Sequence, residues 1–153
     1  MNVTPEVSTY LFFDGNCEEA LRFYQSRLDA EIVFVMRFKD NPEPDPDCPI
    51  PEGFDDKIMH ATIRIGNTIV MASDGASMAE DASVGMNGFR LVYTAEDPER
   101  IRHVFDHLAD GGNPEMPPVK TFWSRSYGMV TDRFGVAWMV MCVDPEQNRT
   151  QVD

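Results

Sequence analysis

Val7-Ser8-Thr9-Tyr10-Leu11-Phe12-Phe13, then Asp14-Gly15-Asn16, then Cys17 to Leu28 is the stretch that decides the fold. Its first seven residues are rich in β-branched and aromatic types, which fit a pleated strand. Asp14-Gly15 turns the chain, and Asn16 stands where a helix cap belongs, with Glu19 three positions on in capping-box register. From Cys17 onward the apolar period becomes helical: Cys17, Ala20, Leu21, Tyr24 and Leu28 form one stripe. Ile32 to Phe38 reads as a second strand. Ile58–Ile65 and Thr68–Ser73 read as a hairpin about Gly66-Asn67.

The same order returns further along. Phe89 to Thr94 reads as a strand, and Asp97 caps a helix that starts at Pro98, the favoured place for proline. Ile101, Val104, Phe105 and Leu108 are its apolar stripe, and Gly111-Gly112 ends it. A loop through Pro114, Pro117 and Pro118 leads to strands at Val119–Trp123, Tyr127–Thr131 and Val136–Val143. The expected fold is therefore α+β: two βαβββ modules, 7–75 and 88–143, within a single domain spanning 1–153. Their curved mixed sheet is expected to surround a largely apolar cavity. A ferredoxin-like sandwich would need β-α-β-β-α-β order, which the extra C-terminal strand pair fits less well. Ala76 to Asn87 reads as the linker, and the tail from Asp144 as frayed.

Composition limits what such a chain can do. Apolar residues make up 42% of it, enough for a packed interior and too many for a disordered chain. The formal charge of -13, with no Lys/Arg cluster to offset it, argues against a nucleic-acid binder. Neither a membrane span nor a secretory leader is expected. Cys17, Cys48 and Cys142 lack ligand-like spacing and read as free thiols of a reducing compartment, hence a cytoplasmic location. The segment Lys39–Lys57 carries five prolines and a block of acids, so it reads as a long loop, either a lid or an exposed insertion.

Four stretches resemble the vicinal-oxygen-chelate superfamily of glyoxalases, bleomycin-resistance proteins and extradiol dioxygenases, in its PhnB-like branch. They are Tyr10 to Tyr24, then Met59-His60-Ala61 with Met71-Ala72-Ser73-Asp74, and finally Phe122 to Trp138. Branch members are often labelled 3-demethylubiquinone 3-methyltransferase-like, but no glycine-rich nucleotide loop here supports methyl transfer. The resemblance implies a divalent metal held from the first and last strands of each module. Those positions fall at Thr9, at Met71 or Ser73, at Phe89 or Leu91, and at Met139. Thioether and phenyl groups are poor ligands for a hard ion, so no cofactor is expected. The cavity reads instead as a small-molecule pocket touched by Met71, Phe89 and Met139. Metal-dependent lyase, isomerase or dioxygenase chemistry on vicinal oxygens is the alternative.

Among polar candidates, His60 shares a strand face with Thr62 and Arg64, opposite Met59 and Ala61. Facing the cavity, it is a candidate base with Arg64 supplying charge; facing water, it is a surface histidine. Asp74 either orients His60, binds a cation, or forms the turn before Gly75. Trp123, Arg125 and Tyr127 alternate, as a clamp for a planar or carboxylate-bearing ligand or as core and interface residues. A metal-independent enzyme would use His60 or Arg125. His103 and His107 lie off the buried stripe and read as a solvated face. Exposed sheet edges point to a homodimer.

Overall fold

A computed structural model describes residues 4–78 and 86–144. The expected linker Ala76 to Asn87 lies mostly outside those residues, as does the tail beyond Asp144. The chain divides into two compact units, Met1–Ser83 and Val84–Asp153, each with its own sheet.

In the first unit the order is β1 (Thr9–Phe12), α1 (Cys17–Leu28), β2 (Glu31–Arg37), β3 (Ile58–Ile65) and β4 (Thr68–Ser73). These strands form a four-stranded sheet in the order β1-β4-β3-β2, with β1 parallel to β4 and the other pairs antiparallel. The second unit repeats the arrangement with β5 (Leu91–Ala95), α2 (Pro98–Ala109), β6 (Asn113–Val119), β7 (Tyr127–Thr131) and β8 (Ala137–Cys142), in the order β5-β8-β7-β6. Two βαβββ modules with mixed sheets are thus present. Where the sequence pattern suggested one curved sheet, the ladders give two open four-stranded sheets, each with its own edges.

One face of each sheet is covered by its helix. The buried stripe of α1, including Leu21, Tyr24 and Leu28, and the buried sheet positions Leu11, Ile63, Val70 and Ala72 make the first core. Ile101, Val104, Phe105 and Leu108 of α2 are all buried, with Val130, Trp138 and Val140 of the second sheet. Apolar area removed from water is the main stabilising term in both cores.

Three local expectations are corrected. Pro114, Pro117 and Pro118, expected in a loop, lie within β6. β6 is an edge strand, where a missing N–H need not break a ladder. The strand expected over Val119–Trp123 ends at Val119, and Thr121 N–H instead donates to Ser124 C=O at 2.9 Å, closing a turn. The capping box at Asn16 is also absent: its side chain makes no cap bond to α1. A carboxylate just past the end of β4 supplies that function.

Candidate functional site

That carboxylate is Asp74, 1% exposed. Its Oδ1 accepts from Gly15 N–H at 2.9 Å and Cys17 N–H at 2.8 Å, and its Oδ2 accepts from Ile58 N–H at 2.9 Å. One side chain therefore caps α1 and ties it to the start of β3. In the second unit Asp97 caps α2 by accepting from Glu99 N–H at 2.9 Å, and Asp132 organises the turn between β7 and β8. Its Oδ1 accepts from Phe134 and Val136 N–H, and its Oδ2 accepts from the indole Nε1 of Trp138 at 3.0 Å. Nothing in local periodicity marked Asp132, although Asp-Arg-Phe-Gly is a turn sequence and a following buried Trp needs an acceptor.

On the face of the first sheet away from α1, ladder register sets Tyr10, Met71, Thr62 and Phe34 in one row. His60 sits one row along, opposite Met36. Its Nδ1 lies 2.9 Å from the Tyr10 hydroxyl and its Nε2 lies 3.4 Å from Thr62 Oγ1. The Tyr10 and Phe34 rings flank it, at centroid distances of 5.6 and 6.1 Å. With the Tyr10 hydroxyl donating to Nδ1, the imidazole proton falls on Nε2 and faces Thr62. Burial pushes the Tyr10 phenol above its ordinary value, against a smaller opposing effect of a Ser73 hydrogen bond. Tyr10 is then a proton donor at neutral pH. Arg64 pairs with Glu31 across the ladder at 2.7 Å, both exposed.

The Lys39–Lys57 segment folds back on itself. Phe38 N–H donates to Lys57 C=O and Lys39 N–H to Asp55 C=O, so the loop is pinched at its base. Lys57 Nζ donates to Gly15 C=O at 2.7 Å, and Phe54 packs edge-on to Phe38. Arg37 grips Glu18 of α1 with two bonds of 2.9 Å, and this contact holds the Glu18 carboxyl down at about 2. Between the loop and the sheet lies a pocket of about 580 Å³, walled by Tyr10, Phe12 and Met59 on one side and Pro44, Cys48 and Ile50 on the other. Met59 was expected to face away from His60. The ladder skips it between the Met36–His60 and Arg37–Ile58 pairs, and this bulge admits Met59 to the pocket. The aromatic pair Tyr10 and Phe12, stacked at 4.8 Å, was missed because both faces of this strand carry large apolar residues. Their i,i+2 spacing was the available signal.

Phe89 and Met139 come together in the second unit, lining a pocket of about 680 Å³. Phe89 precedes β5 rather than lying in it, and Val92 is the β5 residue level with Met139. Met116, Met129 and Met139 stand side by side across β6, β7 and β8. Trp123 and Tyr127 meet edge to face at 5.6 Å. Arg125 does not sit with them: it donates to the Glu96 carbonyl at 2.8 Å and lines a small groove with Pro98 and Glu99 at the start of α2. Residues 120–126 are bends and irregular backbone, so strand alternation does not operate there.

The positions that the resemblance assigned to a metal do not fit one. Thr9 is level with buried Val70, on the helix side of its sheet. Met71 and Met139 offer thioethers, which a hard divalent ion disfavours. Among the described residues no group of three or more His, Cys, Asp and Glu side chains is placed to hold a metal. His103 and His107 have Nε2 atoms 2.9 Å apart on α2, but no third such side chain among the described residues completes a site with them.

Comparison with known proteins agrees with the two-module fold. The family description Glyoxalase/Bleomycin resistance protein/Dioxygenase superfamily matches residues 7–140. Protein YjdN of Escherichia coli K12 is 37% identical over 150 residues, covering 95% of this chain and 99% of YjdN. The crystal structure of PA1353 from Pseudomonas aeruginosa is 37% identical with a TM-score of 0.78, covering 92% of this chain and 98% of that one. A PhnB protein from Bacillus cereus is 30% identical with a TM-score of 0.72, covering 91% and 100%.

Proposed function

Since the chain belongs to the Glyoxalase/Bleomycin resistance protein/Dioxygenase superfamily, in its PhnB-like branch, we propose that it binds a small, flat, cationic molecule in the pocket of the first unit. The observation that carries this reading is the stacked Tyr10–Phe12 pair facing an acidic, proline-rich loop across about 580 Å³. Aromatic faces attract cations and planar rings. Asp45, which lines the same pocket, and the overall charge of -13 supply a field of the matching sign. Prolines in the loop limit the entropy lost when it orders around a ligand.

Acridine orange, a planar cation, is a suitable probe, followed by fluorescence polarisation. Saturable binding is expected, weakened about three- to tenfold in Phe12→Ala through loss of one aromatic contact. The absence of saturable binding, or equal affinity in Phe12→Ala, would overturn the reading. A second reading, metal-independent acid–base chemistry, draws support from the Tyr10–His60 hydrogen bond at 2.9 Å. It requires a reaction whose rate His60→Gln abolishes while the fold persists. We also read the chain as a homodimer, because edge strand β2 exposes Val33, Phe34 and Val35 without a proline to blunt it. Light scattering that gives the monomer mass of 17.3 kDa at micromolar concentration would exclude that assembly.

A further inference from the structure

The pocket of the second unit has a different chemistry. Its walls include Phe89, Ala137 and Met139, and at one side stand Arg90, Glu115 and Thr131. Arg90 is held through a single nitrogen: Nη1 donates to Glu115 Oε2 at 2.7 Å and to the Trp138 carbonyl at 3.1 Å. Thr131 donates its hydroxyl to the other oxygen of Glu115 at 3.1 Å. These bonds fix the plane of the guanidinium. Nε and Nη2 of Arg90 have no partner among the described residues, so one bidentate edge of the fork is unspent.

A guanidinium fixed in orientation, only 28% exposed and beside an aromatic ring and a thioether, matches a carboxylate carried on an apolar body. The two N–H groups of such an edge meet both oxygens of a carboxylate at once, with a geometry that a lysine cannot supply. Phe89 and Met139 offer adaptable apolar contact for the rest of the ligand. We propose that this pocket is a second binding site, specific for aromatic or otherwise apolar monocarboxylates, with Arg90 as the recognition residue. Glu115 orients Arg90 and at the same time opposes the incoming charge, setting the affinity below what the arginine alone would give. This site involves none of the residues of the first unit's pocket, and the two proposals stand or fall separately.

The test uses the full chain labelled with [methyl-13C]methionine, titrated with 2-naphthoate and with neutral 2-naphthamide. The Met139 methyl signal, assigned through Met139→Leu, is expected to shift saturably with naphthoate and not with naphthamide. Arg90→Gln should weaken naphthoate binding by about tenfold or more, since two charge-assisted bonds are lost. Glu115→Gln, which keeps an acceptor for Nη1, should tighten it about threefold. Phe12→Ala should leave it unchanged. Equal shifts with naphthamide in the native protein, no saturable shift, or undiminished affinity in a folded Arg90→Gln variant would overturn the assignment. So would looser binding in Glu115→Gln with the methionine spectrum otherwise native.

Discussion

Replacing Asp74 by asparagine changes one oxygen to nitrogen and should still unsettle the whole first unit. In the native chain the two carboxylate oxygens accept three backbone N–H groups, from Gly15, Cys17 and Ile58, at 2.8–2.9 Å and out of reach of water. Asparagine can keep its carbonyl toward Gly15 and Cys17, but then its NH2 meets Ile58 N–H, donor against donor. The two remaining bonds lose charge assistance, worth about 1 kcal/mol each, and the orphaned Ile58 donor costs about 1–3 kcal/mol. Relief from burying a carboxylate offsets part of this. A net destabilisation of about 3 kcal/mol is expected, or a fall in Tm of about 6–12 °C for a chain of this length. Urea denaturation followed by circular dichroism measures the total. Amide exchange at Gly15, Cys17 and Ile58 reports whether the loss is local to the staple. An Asp74→Asn variant within about 1 kcal/mol of the native protein, or unchanged exchange at those three amides, would refute the staple argument.

Three further outcomes follow from other contacts. Glu18 is held near 2 in the folded chain by Arg37, against an ordinary 4.5, so its contribution to stability is present above about pH 4.5 and is lost as pH falls toward 2. Glu18→Gln should flatten the acid limb of urea midpoints in that window, by no more than about 1 kcal/mol because the pair is partly exposed. Cys17 and Cys142 are buried and Cys48 is exposed; burial, with Asp74 nearby, also drives the Cys17 thiol well above its ordinary value. A disulfide reagent should therefore titrate one fast thiol in the native protein, lost in Cys48→Ser, and three after denaturation. Gly112→Ala would drive a methyl into the Thr131 carbonyl, so β7 must move; a loss of about 1–3 kcal/mol should appear in thermal melts.

How much of this was legible depended on the range of the interaction. The helix stripes and the hairpin at Gly66-Asn67 were readable because their determinants are near neighbours in sequence: a 3.6-residue period, a two-residue turn, a proline after Asp97. The strand at Asn113–Val119 was not, because proline content excludes a central strand but not an edge one, and edge position is a property of the sheet. Of the candidate residues, Phe89 and Met139 do meet in one pocket, and Trp123 meets Tyr127. Arg125 turns to the Glu96 carbonyl because irregular backbone replaces the strand on which its alternation was counted.

By itself, the amino-acid sequence determined the order of elements, the repeated βαβββ plan and the poor metal ligands at Met71 and Met139, since each is a matter of local pattern or side-chain chemistry. Only the tertiary structure decided that Asp74, not Asn16, caps the first helix, that a bulge admits Met59 to the pocket, and that Arg90 keeps one edge of its guanidinium unspent among the described residues. Each of those depends on groups brought together across 25 to 57 residues of chain, or on a ladder slipping by one. Such long-range register is set by packing of the whole unit, which no local window of sequence contains.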